Sequence, residues 1–262
     1  MVDKISDRVL VIGEGGSANS TLIAGKNCSI LVDTSLFPEK AIKISKFSMD
    51  VFGLPISYVI NTHYHPDHTF GNSAFEGLDI ISSSRTREIM EKMDYNYIKA
   101  VWGEEEARKN HITLPNVVFD EKKQMSLCGR KISLIHLGGH TPDSIVIFLE
   151  DESILVAGDL VFNGYHAEIT PDSALEKWLY ALDYIRNLQP FFVVPGHGRF
   201  GGLEIVGKMK EYILKIQMFI HGRIDDSELI KDPNVSKRMF PELFASSIEN
   251  ILKYSKIKTQ GV

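Results

Sequence analysis

Three histidines and one aspartate stand within six residues of one another, directly after a short apolar run, in the segment Asn61-Thr62-His63-Tyr64-His65-Pro66-Asp67-His68. Imidazole and carboxylate groups are ligands of zinc and of other borderline divalent metals. Several imidazoles packed together in an apolar core would leave polar nitrogens unpaired, at a cost of about 1–3 kcal/mol each. Because one residue separates His63 from His65, both side chains can face the same way from an extended backbone, while Asp67 and His68 can face a second position. The segment therefore predicts a metal site, and Pro66 favours a rigid loop over a helix here.

Three later positions have the same character, because each follows an apolar run and is flanked by glycine. They are His140 in Gly138-Gly139-His140-Thr141-Pro142-Asp143-Ser144, Asp159 in Ala157-Gly158-Asp159-Leu160, and His197 in Pro195-Gly196-His197-Gly198. Glycine lets the backbone approach closely and adopt unusual dihedral angles. Ligands collected from several strand ends can converge on one rim of a sheet, where loops on a rigid scaffold usually carry function.

The elements that must position these residues are predicted from hydrophobic periodicity and turn residues. The predicted strands are Arg8–Gly13, Ser20–Ala24, Ser29–Asp33, Ser57–Asn61, Asp79–Ser82, Asn116–Asp120, Lys131–Leu137, Ser144–Leu149, Ser153–Ala157 and Phe191–Val194. The predicted helices are Pro38–Met49, Ser84–Met93, an excursion over 94–110, Leu175–Leu188 with a capping box from Ser173 and Glu176, Ile205–Ile220, and a last one around Phe244–Leu252. This order suggests two sheets with helices packed outside them.

Composition limits the class of protein. The chain has 262 residues, 44% hydrophobic and 24% charged, which is a globular composition, and no linker or repeat divides it, so one domain over residues 1–262 is expected. The net charge of −5 argues against a nucleic-acid binder. No stretch reaches the ~18 apolar residues of a membrane span, and the N-terminal residues do not resemble a secretory leader. We therefore expect a soluble, cytoplasmic protein with neither a nucleic-acid nor a membrane partner.

The two cysteines, Cys28 and Cys128, lie 100 positions apart and form no CxxC motif. Nothing in this spacing suggests a disulfide framework. We expect each to be a small buried hydrophobic residue.

The motif HYHPDH, followed in order by GGHTPDS, AGDLVF and VPGHG, resembles the motifs of the metallo-β-lactamase superfamily. The resemblance covers about residues 8 to 200. It implies an α/β fold, the αββα sandwich of two mixed β-sheets flanked by helices. The residues after about 205 carry none of these motifs, and we interpret them as a helical C-terminal extension.

Transferred position by position, the resemblance implies two adjacent divalent metal ions, zinc in the first place, with iron or manganese as alternatives. The first ion would be held by His63, His65 and His140, the second by Asp67, His68 and His197, and Asp159 would bridge both. Two such ions can share a water and lower its pKa towards ~7, which makes a bridging hydroxide nucleophile, and can polarise the substrate's oxygen. Asp67 would orient this hydroxide or carry its proton, so Asp67 and Asp159 are the predicted catalytic residues.

Other side chains are secondary candidates. Thr62 and Asp143 could orient ligand histidines, and Tyr165 and His166 follow Asp159 closely enough to contact substrate from a loop above the rim. The acidic run Glu104-Glu105-Glu106 is interpreted as a solvated helix face.

The bridging aspartate favours one branch of the family, because class B β-lactamases lack it. The chain resembles instead the branch with glyoxalase II-like thioesterases, lactonases and phosphodiesterases. The stretch Leu160–Glu168 has no lysine or arginine to bind glutathione, so we predict a hydrolase of small esters, such as lactones or phosphodiesters, with a broad substrate range. A glyoxalase II-like thioesterase stays an alternative. So does a persulfide dioxygenase holding one iron through His63, His140 and Asp159. The helices after 205 could also form a homodimer.

Overall fold

Two mixed β-sheets form the centre of the protein. The structure is a computed structural model that describes the backbone of residues 1–259, with side chains described for residues 1–250 and 252. The first sheet holds seven strands in chain order: β1 (Val2–Ser6), β2 (Val9–Ile12), β3 (Ser20–Ala24), β4 (Ser29–Val32), β5 (Ile56–Ile60), β6 (Asp79–Ser83) and β7 (Val117–Phe119). Strands β1 to β4 pair antiparallel, and β4 to β7 pair parallel.

The second sheet holds five strands in the spatial order β12-β11-β10-β9-β8. They are β8 (Lys122–Leu127), β9 (Arg130–His136), β10 (Ile145–Leu149), β11 (Ile154–Phe162) and β12 (Phe192–His197). Strands β8 to β11 pair antiparallel, and β11 and β12 pair parallel.

Helices cover the outer face of each sheet. Helix α1 (Pro38–Phe52) begins with proline in its first turn and ends at Gly53, whose left-handed φ of 66° closes the helix. Its residues Ala41 and Ile44 pack against Leu31 of the first sheet. Helices α6 (Leu175–Asn187) and α7 (Leu203–Ile220) cover the second sheet, where Trp178 and Met209 are fully buried.

A third apolar layer fills the space between the two sheets, with Ile30 and Val32 from one side and Leu134 and Ile147 from the other. Strands β3 and β4 are buried along their whole length because both of their faces are covered. The layers are therefore helix, sheet, sheet, helix, which confirms the predicted αββα sandwich. The extent of one domain over 1–262 stays a prediction.

The shorter helices lie around the sandwich. They are α2 (Pro66–Thr69), a 3₁₀ helix (Phe70–Phe75), α3 (Ser84–Met90), α4 (Tyr95–Trp102), α5 (Glu104–Lys109), α8 (Asp226–Lys231), α9 (Pro233–Ser236) and α10 (Pro241–Thr259). The predicted excursion over 94–110 is thus two helices, and they pack through Trp102, whose ring centroid lies 4.8 Å from that of Phe70. The acidic run begins α5 and is largely solvated, with Glu104 and Glu105 paired to Arg108 and Lys109 at the other end of the helix.

Several local predictions were wrong. Strands β1 and β8 were missed because they are sheet edges with few buried side chains. Pro66 begins a single helical turn rather than a loop, as proline suits a first helical position. The predicted capping box at α6 does not form: the residue before the helix is Ala174, and the Ser173 hydroxyl donates instead to the His140 carbonyl at 2.6 Å.

The prediction of two separate cysteines was also wrong. Cys28 precedes β4 and Cys128 lies in the turn between β8 and β9, and the two form a disulfide across the sheets, with their Cα atoms 5.3 Å apart. Both are buried, as expected, but the face-to-face packing of the sheets brings them together. No helix among the described residues is long and apolar enough to cross a membrane. The cytoplasmic location stays a prediction, and the disulfide weighs against it because cytosolic thiols are mostly kept reduced.

Candidate metal centre

The chemistry-bearing residues of both sheets meet at one edge of the sandwich. His63 and His65 follow β5, and His140 lies in the connection between β9 and β10. Asp159 lies inside β11, where the register with β12 shifts, and His197 ends β12. The predicted position of Asp159 at the end of a strand is therefore corrected: the strand continues past it to Phe162.

Four of these side chains form a first group, in which one ligand atom from each lies within 4.8 Å of all the others. The group is His63, His65, His140 and Asp159, and all four are buried. Nδ1 of His65 lies 3.2 Å from Nε2 of His140, so two imidazole nitrogens point at the same place.

Asp67, His68 and His197 form a second group by the same criterion. Nε2 of His197 lies 3.4 Å from Oδ2 of Asp67, and Nε2 of His68 lies 3.9 Å from that oxygen. Asp67 keeps 39% of its side-chain surface exposed, whereas His68 is fully buried. The second group therefore opens to solvent on the side of Asp67.

The carboxylate of Asp159 reaches both groups. Its Oδ1 lies 3.1 Å from Nε2 of His68, and its Oδ2 lies 3.4 Å from Nε2 of His197. The same Oδ2 lies 3.6 Å from Nε2 of His140 and 3.9 Å from Nε2 of His63. One buried carboxylate thus lies between the two sets of imidazoles, where it could serve as a ligand to both of two ions.

Several buried ligand atoms have no hydrogen-bond partner among the described residues. They include Nε2 of His63, and also Nε2 of His68 and Oδ1 of Asp159, which lie 3.1 Å apart without the alignment of a hydrogen bond. Unsatisfied buried polar atoms are costly, and their convergence is explained if a cation takes the place of the missing partners. The nitrogen and oxygen donors suit zinc and similar divalent ions, so the residues present fit a divalent metal.

Three of the imidazoles are held from outside through their other ring nitrogen. Nδ1 of His68 lies 2.7 Å from Oδ2 of Asp33, and Nδ1 of His197 lies 2.7 Å from the Gly16 carbonyl. Nδ1 of His63 lies 3.0 Å from the hydroxyl of Thr62. Each contact turns the Nε2 atom towards the centre, as outer partners of metal-binding histidines do.

Burial and neighbouring carboxylates set the charges of the centre. Burial lowers the pKa of His63 and of His140 well below the usual range, which keeps these imidazoles neutral, as metal ligands must be. Burial opposes protonation of His197 too, but Asp159 and Asp67 outweigh it and raise the pKa of His197 to about 9. The carboxylates therefore attract positive charge to the place where a metal would bind.

Of the two residues predicted to contact substrate, only Tyr165 lies at a cavity beside the candidate metal centre. Tyr165 lines a cavity of about 400 Å³ together with Gly16 and Gly198, beside His197, so it remains a candidate for substrate contact. His166 was expected there too, but it is only 3% exposed and its Nδ1 lies 3.0 Å from the hydroxyl of Tyr212, so the structure does not bring it to the site.

Of the two residues predicted to orient ligand histidines, only Thr62 contacts one of them. Thr62 contacts His63 and donates its hydroxyl to Asp33 at 2.8 Å, as an orienting residue should. Asp143 accepts a hydrogen bond from the Thr86 hydroxyl at 2.8 Å and, among the described residues, makes no hydrogen bond to a ligand histidine, although the charge of His65 acts on it. Its expected orienting role is not seen.

Asp33 and Asn19 are the site residues that sequence reasoning missed. Asp33 directly follows an apolar strand, the same signal that singled out His197, so it could have been found. Asn19 donates from Nδ2 to the carbonyls of Pro195 and Gly198 at 2.9 and 2.8 Å, and so holds the backbone on both sides of His197. No local pattern marks Asn19.

Comparison with known proteins agrees with this geometry. A sequence model of the metallo-beta-lactamase superfamily matches residues 13–197, which include every residue of both groups. The chain belongs to the metallo-β-lactamase superfamily. The resemblance drawn from its motifs is thereby confirmed.

Relatives within the superfamily carry different names. The metallo-beta-lactamase type 2 of Bacteroides fragilis is 23% identical over 201 residues, covering 75% of each chain. The linear primary-alkylsulfatase of a Pseudomonas strain is 22% identical over 266 residues, covering 86% of this chain and half of that one. The beta-lactamase-like protein 2 homolog of Caenorhabditis elegans is 26% identical over 253 residues, covering 92% and 79%.

Solved structures show the same superfamily fold. A metallo-beta-lactamase from Pontibacter korlensis superposes with a TM-score of 0.67 at 22% identity, covering 82% of this chain and 98% of that one. One from Hirschia baltica gives 0.66 at 21% identity, covering 81% and 96%. The protein is thus a superfamily hydrolase with a possible metal-binding site at His63, His65, His140 and Asp159.

Proposed function

We propose that this superfamily member is a dinuclear metal-dependent hydrolase that cleaves small ester-type bonds. The observation that carries the proposal is the position of Asp159, whose two oxygens lie within 3.1–3.9 Å of imidazoles from both groups. A single-metal enzyme would need only the first group. The convergence of Asp67, His68 and His197 within 4.8 Å supports a second ion.

Two bound divalent ions would supply Lewis-acid activation of water and of the substrate's oxygen. His63, His65 and His140 would hold one, His68, His197 and Asp67 the other, with Asp159 between them. Zinc fits the donor set, and iron and manganese remain alternatives.

Asp67 has the position required of a proton carrier. It is the most exposed member of the set, and its Oδ2 lies 3.4 Å from Nε2 of His197. From there its carboxylate can orient a water towards the scissile bond, accept its proton and pass it to solvent. Asp159 is nearly fully buried and is better suited to holding ligands than to exchanging protons.

The substrate is proposed at the level of a class. The names of relatives include lactamases and an alkylsulfatase, so superfamily likeness does not select one bond. The segment Leu160–Glu168, which follows Asp159, carries no lysine or arginine that could bind glutathione. This argues against glutathione thioesters as substrates. Lactones, phosphodiesters and activated carboxylic esters are the substrates that we propose.

The test begins with metal content per chain, measured by elemental mass spectrometry on protein purified without added metal. We expect about two zinc, manganese or iron ions, about one after Asp67→Ala, and turnover of at least one substrate in a panel of lactones, phosphodiesters and aryl esters. Nitrocefin and dodecyl sulfate test the activities named for the relatives, and a glutathione thioester tests the thioesterase alternative.

A different result would identify the oxygenase alternative. One iron per chain, unchanged by Asp67→Ala, together with oxygen consumption on a persulfide, would overturn the hydrolase proposal. Lys43→Met, at an exposed position on helix α1, serves as the control variant, and its metal content should equal that of the wild type.

A further inference from the structure

We propose that Lys40 binds a negatively charged group of the substrate, so that the enzyme prefers anionic esters. This inference deepens the proposed function and rests on it. It names a specificity residue on α1, outside both groups of candidate metal ligands.

Lys40 and Asp67 line the same cavity, which has a volume of about 350 Å³ and is completed by Ser17, Ser35 and Phe37. Nζ of Lys40 lies 3.4 Å from the Ser17 hydroxyl. The lining of the cavity therefore combines an ammonium and a hydroxyl with the most exposed member of the metal centre. A substrate in this space would lie between a cationic group and the reacting centre.

Lys40 has no carboxylate partner to explain its place. Among the residues with described side chains, the only hydrogen bond of the Lys40 ammonium is to Ser17, and no carboxylate oxygen lies within 4.0 Å of it. Glu14 and Asp67 act on it only from a distance, and its partial burial lowers its pKa. An ammonium that is half removed from water without a pairing anion leaves strong donors free for a ligand.

The position also conflicts with helix stability. Lys40 stands in the first turn of α1, where the helix dipole favours anions and disfavours cations. Exposed lysines of the same helix, Lys43 and Lys46, lie further along it and face solvent. A residue that breaks a local rule without a compensating contact is expected at functional sites. A bound anion would be attracted both by the Lys40 ammonium and by the positive end of the α1 dipole.

The residues that precede α1, and so position Lys40, are fixed by contacts with the 3₁₀ helix and with α4. Ser35 has a left-handed φ of 68°, and its carbonyl accepts the Gly71 N–H at 2.9 Å. The Leu36 carbonyl accepts from Nε1 of Trp102 at 2.8 Å. These contacts tie the entry of α1 to the 3₁₀ helix and to α4, so the cavity is built before substrate arrives.

The chemistry recognised is a carboxylate, sulfate or phosphate group on the part of the substrate that is not cleaved. Such a group would accept hydrogen bonds from the Lys40 ammonium and the Ser17 hydroxyl, while the scissile ester lies towards Asp67. A charged pair of this kind also orients the substrate in one direction along the cavity.

The test uses two esters in which the carboxylate cannot reach the ester carbonyl: mono-4-nitrophenyl terephthalate, with a free carboxylate, and its methyl ester, methyl 4-nitrophenyl terephthalate. The variants are Lys40→Met, Lys40→Arg and the control Lys43→Met, with metal content measured for each. We expect Lys40→Met to raise KM for the anionic ester about tenfold or more, with less than about twofold change for the neutral one. Lys40→Arg should restore most of the preference, and Lys43→Met should leave it unchanged.

A binding measurement makes the test independent of turnover. Calorimetric titration with monomethyl succinate and dimethyl succinate should show a preference for the anion in the wild type that Lys40→Met removes. Equal losses on both esters would mean that Lys40 acts through Asp67 or the fold, and an unchanged preference would mean that it takes no part; either result overturns the inference. If neither ester is hydrolysed by the wild type, the proposed function is in question for this class, and the titration alone decides the role of Lys40.

Discussion

Oδ2 of Asp33 lies 2.7 Å from Nδ1 of His68, 35 residues further along the chain. The same carboxylate accepts the backbone N–H and the hydroxyl of Thr62, both at 2.8 Å, and is buried. These contacts fix the imidazole of His68 so that its Nε2 faces Asp159 at 3.1 Å. A residue that touches no proposed metal thereby sets the direction of a ligand.

Replacing Asp33 by asparagine should weaken metal binding. Asn keeps the size of the side chain but removes the negative charge that faces His68, so we expect zinc affinity to fall about 10- to 100-fold. Competition with a chromophoric chelator measures this. Asp183→Asn on α6 is the control, because Asp183 pairs with Lys210 of α7 at 2.5 Å and not with a ligand. Equal affinities for the two variants would contradict the role assigned to Asp33.

Gly196 leaves room for the Asp159 carboxylate, because no larger residue fits beside it. A Cβ atom at this position would lie 1.8 Å from Oδ1 of Asp159 and 2.8 Å from its backbone nitrogen. Because Asp159 is proposed to serve both ions, we expect Gly196→Ala to lower activity by on the order of 100-fold and to reduce metal content. Gly207→Ala is the control, since a Cβ there meets nothing within 4 Å. Full activity of Gly196→Ala would show that the centre tolerates displacement of Asp159.

The disulfide should matter for stability and not for the site. Cys28 and Cys128 close a loop of 100 residues, so replacing both by alanine should lower the free energy of unfolding by about 2–4 kcal/mol. Cys28 precedes β4 while Asp33 follows it, a span of roughly 16 Å along the strand, so metal content should not change. Urea unfolding measures the first effect. Two reactive thiols per chain in protein never exposed to reductant would contradict the bond.

His166 should make the protein sensitive to acid. Burial, with a contribution from Arg238, lowers the pKa of His166 to about 4. The unfolded chain takes up this proton near pH 6.5, so stability is lost as the pH falls from about 6.5 through about 4, by up to about 3 kcal/mol. His166→Phe cannot bind this proton, and the difference between its unfolding free energies at pH 7 and pH 4.5 should be smaller than that of the wild type.

The measurement for His166 is urea unfolding of metal-free protein at both pH values. His111→Phe, at an exposed position, provides the control and should keep the wild-type difference. An identical pH dependence for all three proteins would show that His166 titrates normally in the fold.

Local sequence was sufficient for the ligand types and for the superfamily. His63, His65, Asp67 and His68 are adjacent in the chain, so the direction of one loop decides most of their geometry. The strands that carry Asp159 and His197 are apolar runs that any pattern analysis detects. The edges β1 and β8 escaped because their side chains are mostly polar or exposed, and their strand character comes from hydrogen bonds with a neighbouring strand.

Contacts between distant segments were decided by the tertiary structure. The pairing of Asp33 with His68, the bond between the two cysteines, and the place of Lys40 beside Asp67 depend on which faces of the sheets and helices meet. His166 illustrates the limit most directly, because its sequence position beside the rim did not indicate that its ring turns into the core against Tyr212. Residue types and short spacings determine what chemistry is available, whereas side-chain direction and long-range proximity follow from how whole layers pack.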